Sequence, residues 1–181
     1  MAKIEKQIGI STHFLPATKG ETIFDAIKIV SRAGFKGFEI VPTMDQGQLG
    51  YPETIRNVGI DLFEAKQKEL EELRKALKVF DWVTVHAPHI DWNLASGNRH
   101  LRKLTWKYYD RCMEFAELIN ARAVSYHMGY MKGFILRREK ILNISAKYAE
   151  HLLKEVRTRN IPAGFETGAF SDVEYICKKV K

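Results

Sequence analysis

The sequence predicts an α/β protein in which parallel strands alternate with helices. Short apolar runs alternate five times with longer segments of helical periodicity, and this order implies a parallel sheet with right-handed crossovers. The segments after predicted strands are long and carry polar residues, whereas those after predicted helices are short. This asymmetry is typical of a (β/α) barrel or an open α/β sheet whose site lies at the carboxyl ends of its strands. The sequence contains neither a GxGxxG segment after the first strand nor a P-loop, which argues against the common nucleotide-binding folds.

The first two predicted strands span 7–12 and 37–41, and a helix over 21–32 lies between them. Apolar residues recur along this helix at the spacing of one helical face. Its expected buried stripe consists of Ile23, Ile27 and Val30. Gly34 follows the helix, where glycine commonly ends one, and Pro42 ends the second strand.

Two helices are predicted between the second and third strands. The first is a short helix over 52–58, after a loop rich in glycine and glutamine, and the second runs over 61–78. Asp61 and Glu64 have the spacing of a capping box, in which two side chains satisfy backbone donors at a helix start. The expected inward stripe of the second helix consists of Leu70, Leu73 and Leu77.

The last three strands are each followed by a helix. The strands are predicted at 82–86, 123–127 and 163–166, and their helices at 101–120, 137–159 and 171–180. The buried stripe expected for the first of these helices contains Leu104, Tyr108 and Phe115. Ser171 and Glu174 have the spacing of a second capping box.

Composition indicates one globular domain over residues 1–181. Hydrophobic residues make up 45% and charged residues 28%, and no apolar run approaches the ~20 residues of a membrane span. The net charge of +7 suits phosphorylated or nucleic-acid partners, but many lysines lie in mixed Lys/Glu helices of the kind that form solvated faces. Cys112 and Cys177 lie within helical patterns, so we expect them to be reduced and buried in a cytoplasmic protein.

Three consecutive predicted strands end in metal-ligating residue types. His86, His127 and Glu166 follow one another at intervals of about 40 residues, which is one strand, one helix and two loops. If the strands are parallel neighbours, the three side chains leave the same edge of one sheet. Two imidazoles and one carboxylate suit a zinc ion with an open fourth position. The alternative is that each is an ordinary polar residue at a strand end.

Further polar residues are predicted at the same rim. His89 and Asn93 lie in the loop after the third strand, Glu39 lies in the second strand, and His13 follows the first. We predict that Glu39, His89 and Asn93 bind substrate, with His13 as a weaker candidate. Asn93 is equally suited to fixing its own loop through backbone hydrogen bonds.

Four segments resemble motifs of one family. Residues 86–96, HAPHIDWNLAS, resemble the H-x-P-Y-x-I-N-L-A-S stretch of the endonuclease IV group. Residues 127–129 resemble its H-P-G segment, 165–167 its E-N-T segment, and 38–40 the G-x-E-I segment of related isomerases. The group is part of the xylose-isomerase-like TIM-barrel superfamily. Met128 stands where the family has proline, so the match to strict endonuclease IV is imperfect.

The resemblance implies (β/α) units of TIM-barrel type, with about five strands and five main helices. A complete barrel needs about 250 residues, so we expect an incomplete barrel that ends after its fifth unit. It also implies a divalent metal, zinc or alternatively manganese, held by His86, His127 and Glu166. Glu166 is then the catalytic residue, either bridging two metals in a nuclease or serving as ligand and base in an isomerase.

Three functions remain open. The first is endonuclease IV-like hydrolysis of a phosphodiester at abasic DNA, and the second is isomerisation or epimerisation of a sugar phosphate. The third is a catalytically inactive half-barrel that acts by association, because an open five-stranded sheet would expose two edges that a second copy could cover. The expected partners are accordingly a sugar phosphate or abasic DNA, and no membrane.

Overall fold

A parallel sheet of five strands organises the part of the chain described by the computed structural model, residues 8–12, 16–17, 22–42, 56–89, 92–127, 138–166 and 170–180. The strands are β1 Gly9–Ser11, β2 Pro16–Ala17, β3 Gly37–Ile40, β4 Arg56–Asn57, β5 Trp82–His86, β6 Val124–His127 and β7 Ala163–Glu166. The helices are α1 Ile23–Arg32, α2 Gln67–Ala76, α3 Arg99–Leu118, α4 Arg138–Arg159 and α5 Phe170–Lys179. A short 3₁₀ turn over Leu77–Val79 extends α2.

The sheet has the order β1-β3-β5-β6-β7, with every neighbouring pair parallel. Strands that follow one another in the chain are therefore neighbours in space, with a helix in each connection, as in the β/α units of a TIM barrel. The predicted fold class is confirmed, with five of the eight units of a complete barrel in the described residues. Strands β2 and β4 form a separate two-stranded antiparallel ribbon.

The two faces of the parallel sheet differ in character. Alternate residues of the central strands point toward the helices and are buried. These are Phe38, Ile40, Val83, Val85, Val124 and Tyr126. Tyr126 packs there with Tyr109 of α3 and Tyr148 of α4, and the Tyr126 hydroxyl donates to the Tyr109 carbonyl at 3.2 Å. The opposite, inner face presents the polar residues that form the candidate site.

On the inner face, the indole of Trp82 lies against two glycines, Gly9 of β1 and Gly37 of β3. A Cβ atom on Gly37 would lie 2.0 Å from Cζ2 of Trp82, and one on Gly9 would lie 2.5 Å from Cη2. Contacts this short do not occur between real atoms, so this close approach requires glycine at both positions.

Three predictions about helices and their starts are wrong. Helix α2 begins at Gln67 and not at Asp61, because the Asp61 carboxylate accepts from the amide of Phe63 at 2.8 Å in a turn before the helix. Of the short helix predicted over 52–58, Arg56–Asn57 are strand β4, and 52–55 lie outside the described residues. Helix α5 begins at Phe170, so Ser171 lies inside it and does not cap it; its hydroxyl instead accepts from Arg138 at 2.6 Å.

The predicted buried stripes are confirmed in most positions. Ile23, Ile27, Val30, Leu73, Leu77, Tyr108 and Phe115 are buried. Leu104 is 45% exposed, because α3 turns Thr105, Tyr108 and Tyr109 inward instead. Cys112 is buried as expected, whereas Cys177 is exposed, which corrects that prediction. No helix among the described residues has the length and hydropathy to cross a membrane.

Candidate metal centre

The three residues predicted as metal ligands lie together at the carboxyl edge of the sheet. Nε2 of His86 lies 3.1 Å from Oε2 of Glu166 and 3.3 Å from Nε2 of His127. Nε2 of His127 lies 3.6 Å from the same carboxylate oxygen. Two imidazole nitrogens and one carboxylate oxygen thus form a compact triangle.

Sheet register explains why these side chains meet. His127 of β6 pairs directly with Glu166 of β7, and His86 of β5 pairs with Ser125, two residues before His127. Since side chains alternate along a strand, Ser125 and His127 share the inner face with Glu166. The register of the three neighbouring strands and the alternation of side chains along them therefore direct all three donors to one point.

The hydrogen bonds of His86 favour a cation at this point. Its Nδ1 lies 3.0 Å from the carbonyl oxygen of Ala87, and because a carbonyl only accepts, Nδ1 carries the proton. In the neutral ring Nε2 then carries a lone pair, which faces the carboxylate of Glu166 and is repelled by it. Either a second proton on His86 or a metal ion relieves that repulsion. Metal-bound histidines commonly donate their other N–H to a backbone carbonyl, as His86 does.

The size of the triangle fits a tetrahedral ion. With ligand bonds of about 2.0–2.1 Å, donor atoms around zinc are separated by roughly 3.3 Å. The three observed separations of 3.1, 3.3 and 3.6 Å lie around that value. The donor set of this structure therefore fits a divalent ion.

His89 brings a third imidazole to the same place. Its ring centroid lies 4.3 Å from that of His127 and 5.8 Å from that of His86. One nitrogen from each of the three rings lies within 4.8 Å of the others. The two residues before His89 are anchored, because the amide of Ala87 donates to the Ser125 carbonyl at 2.8 Å and the hydroxyl of Tyr109 donates to the Pro88 carbonyl at 3.2 Å.

The ligand triangle opens into a cavity of about 420 Å³. Its described lining consists of Ser11, Glu39, Val41, His86, His89, Ser125, His127 and Glu166. Glu39 lies at this rim as predicted, and the hydroxyl of Thr84 donates to its carboxylate at 3.5 Å. Ser11 and Ser125 are lining residues that the sequence analysis missed. Both follow from register and parity, because Ser11 pairs with Glu39 and Ser125 precedes His127 by two residues.

Asn93 and His13 are not among the described lining residues. The side-chain oxygen of Asn93 accepts from the amide of Ala95 at 2.9 Å, so it fixes the loop, which is the alternative noted for it. Neighbouring Trp92 stacks on Tyr108 with centroids 4.2 Å apart and serves packing. His13 lies outside the residues that the structure describes.

Glu166 is ionised at neutral pH. The close contact with the His86 imidazole lowers the pKa of its carboxyl group most, partial burial raises that pKa, and the nearby imidazoles lower it further. The side chain of Glu166 is 63% exposed and that of His86 only 14%. The carboxylate is therefore open to solvent and substrate, while the imidazole is held inside.

Comparisons with known proteins agree with the fold. The model of the xylose isomerase-like TIM barrel family matches residues 27–181. A D-tagatose 3-epimerase-like protein is similar in structure, with a TM-score of 0.71 at 20% identity over 96% of this chain and 60% of that chain. No curated protein sequence matches the chain.

Two structures from Thermus thermophilus are also similar. The TTHB071 protein, studied after soaking with ZnCl2, has a TM-score of 0.63 at 14% identity over 96% of this chain and 63% of that chain. Endonuclease IV has a TM-score of 0.57 at 15% identity over 96% of this chain and 58% of that chain. Further similar structures are mainly sugar epimerases. The chain spans about 60% of the length of such structures, and at these identities the similarity establishes the fold.

Proposed function

Because the chain belongs to the xylose isomerase-like TIM barrel family, we propose that it is a metal-dependent enzyme that epimerises or isomerises a small sugar. The observation that carries this proposal is the chemistry of the cavity wall. The described lining offers carboxylates, imidazoles and hydroxyl groups around about 420 Å³, within the range of small-molecule sites. These groups suit the hydroxyl groups of a sugar.

The same lining favours an uncharged sugar over a phosphate. Phosphate recognition commonly uses arginine, lysine or a helix amino terminus. The described residues that line the cavity include neither arginine nor lysine, and they include Glu39 and Glu166. Two carboxylates would repel a phosphate placed beside them. We therefore favour the epimerase hypothesis over the nuclease hypothesis, and a neutral sugar over a sugar phosphate.

We assign the metal to His86, His127 and Glu166, with zinc as the first candidate and manganese as the alternative. When bound, a divalent ion would supply Lewis-acid polarisation of a sugar carbonyl. Imidazole and carboxylate ligands suit either ion. The separations of 3.1 to 3.6 Å among the three donor atoms support this assignment.

Glu166 is the proposed base. Its carboxylate is ionised and faces the cavity, so it can accept a proton from the carbon next to the sugar carbonyl. Glu39 lines the same cavity from β3, on the other side of β5 and β6 from Glu166. We assign Glu39 to binding a sugar hydroxyl, with Thr84 orienting its carboxylate.

A second candidate is endonuclease IV-like cleavage of abasic DNA. The likeness of residues 86–96 to that group and the net charge of +7 favour it. Phosphodiester hydrolysis by paired metals requires ligands for more than one ion. Within the described ranges, the strand-end histidines and Glu166 form a single metal-ligating group. An association role, with a second copy covering the sheet edges, is the third candidate.

Proton exchange tests the proposal directly. The zinc- or manganese-loaded protein is incubated in D₂O with a panel of ketohexoses, and NMR follows deuterium at the carbon next to the carbonyl. We expect exchange by the native protein, loss of exchange in Glu166→Gln, and retention in His100→Ala, which changes an exposed histidine of α3.

The same preparation is tested on a duplex containing an abasic site. Nicking without exchange on any sugar would favour the nuclease candidate over ours. A protein that binds no metal and turns over neither class of substrate would favour the association role.

A further inference from the structure

We propose that His89 is a fourth protein ligand of this metal centre, which then has three imidazoles and one carboxylate. The inference rests on the proposed metal-dependent function and concerns the composition of its ligand set. It replaces the substrate-binding role that the sequence suggests for His89.

The position of His89 supports ligation. A nitrogen of its ring lies within 4.8 Å of one ring nitrogen of His86 and one of His127, whereas donors around zinc are separated by roughly 3.3 Å. Ligation therefore requires the side chain of His89 to move toward the other two rings. The ring is half-buried and already packs beside His127 at 4.3 Å.

Hydrogen bonds fix the backbone of the two residues before His89, which is a favourable setting for a metal ligand. Ala87 is bonded to Ser125 of β6, the strand that carries His127. Pro88 is bonded to the hydroxyl of Tyr109, which is fully buried in α3. The loop is thus joined to elements that also position the other ligands. Ligands on supported backbone hold a metal with little loss of conformational entropy.

Four protein donors would determine which ions the site accepts. Imidazole-rich sets suit zinc, cobalt, nickel and iron, whereas magnesium and calcium prefer oxygen ligands. We therefore expect the site to select Zn²⁺ and Co²⁺ over Mg²⁺ and Ca²⁺. Sugar oxygens would occupy a fifth or sixth position, since the protein already fills four.

The test measures Zn²⁺ affinity by competition with a chromophoric chelator. His89→Ala should weaken binding beyond the roughly 10- to 100-fold that loss of an outer-shell partner costs. His89→Asp, which supplies a carboxylate ligand, should recover part of the loss. His100→Ala is the matched control and should bind as the native protein does. Circular dichroism confirms that each variant is folded.

The visible spectrum of the Co²⁺ protein separates direct from indirect effects. Loss of a ligand changes the energy and intensity of the d–d bands, so we expect His89→Ala to alter the spectrum. A His89→Ala variant with zinc affinity within twofold of the native value, or with weaker affinity and an unchanged Co²⁺ spectrum, would overturn the inference. If the native protein itself binds no Zn²⁺, the proposed function fails as well, and the two failures are thereby distinguished.

Discussion

The indole of Trp82 lies so close to Gly37 that a Cβ atom there would be 2.0 Å from Cζ2. Strand β5 therefore places a large aromatic ring across the backbone of its neighbour β3. The contact lies on the inner face, four residues before His86 along the same strand.

Gly37→Ala should destabilise the protein. The new methyl group would overlap the indole, and overpacking of this kind costs about 1–3 kcal/mol. Urea unfolding measures the change. Gly164→Ala is the matched control on β7, because a Cβ there meets nothing within 4 Å. Equal destabilisation by both substitutions would contradict the role given to Trp82.

Tyr109→Phe should weaken zinc binding through the loop of His89. The change removes the hydroxyl that donates to the Pro88 carbonyl at 3.2 Å. Burial raises the pKa of Tyr109, so this hydroxyl stays protonated and donates across the ordinary pH range. We expect a few-fold loss of Zn²⁺ affinity and a loss of about 1–3 kcal/mol in unfolding free energy, because the carbonyl is left without its partner.

Tyr108→Phe provides the control for Tyr109→Phe. The Tyr108 hydroxyl donates to the Pro42 carbonyl at 3.3 Å, away from His89. Tyr108→Phe should lower the free energy of unfolding about as much as Tyr109→Phe does, and it should leave zinc affinity unchanged. Similar zinc affinities in the two variants would argue against the anchoring role of Tyr109.

Zinc should stabilise the fold through His86 and His127. A ligand present at 100 times its Kd adds about 2.7 kcal/mol to the free energy of unfolding. Thermal melts should therefore shift upward with Zn²⁺ and return with EDTA. The double variant His86→Ala/His127→Ala should show no shift in either direction. A shift of native size in that variant would place the stabilising ion elsewhere.

Zinc affinity should fall steeply as the pH decreases, because protons compete with the metal for the imidazole nitrogens. Because more than one imidazole must be deprotonated, we expect a loss of more than tenfold per pH unit at the acid end. Glu166 contributes little to this slope, since its lowered pKa keeps it ionised there. Glu166→Gln should therefore bind more weakly with the same pH slope, and a flattened slope would assign the titration to the carboxylate.

Strand ends and the alternation of side chains along strands predict much of the arrangement of this site. The convergence of His86, His127 and Glu166 could be predicted because each ends a predicted strand, and the carboxyl ends of parallel strands meet at one edge. Ser11 and Ser125 follow from the same alternation once the register is known. These relations depend on neighbouring strands and short sequence distances.

Other features depend on tertiary contacts that cannot be predicted from local sequence patterns. The start of α2 was misplaced because Asp61 can serve in a capping box or a turn, and local sequence does not distinguish the two. The stripe of α3 was misplaced at Leu104, since apolar and aromatic residues occupy more than one face. The position of His89 depends on the hydrogen bond from Tyr109 to Pro88, two residues that lie 21 positions apart in the sequence.

Glu166 ends β7, which is an outermost strand of the parallel sheet in the part of the chain that the structure describes. An ion bound by His86, His127 and Glu166 would connect the carboxyl ends of three adjacent strands. Metal binding would then stabilise a strand that has one hydrogen-bonded neighbour among the described strands, and amide hydrogen exchange along 163–166 should slow when the ion is bound.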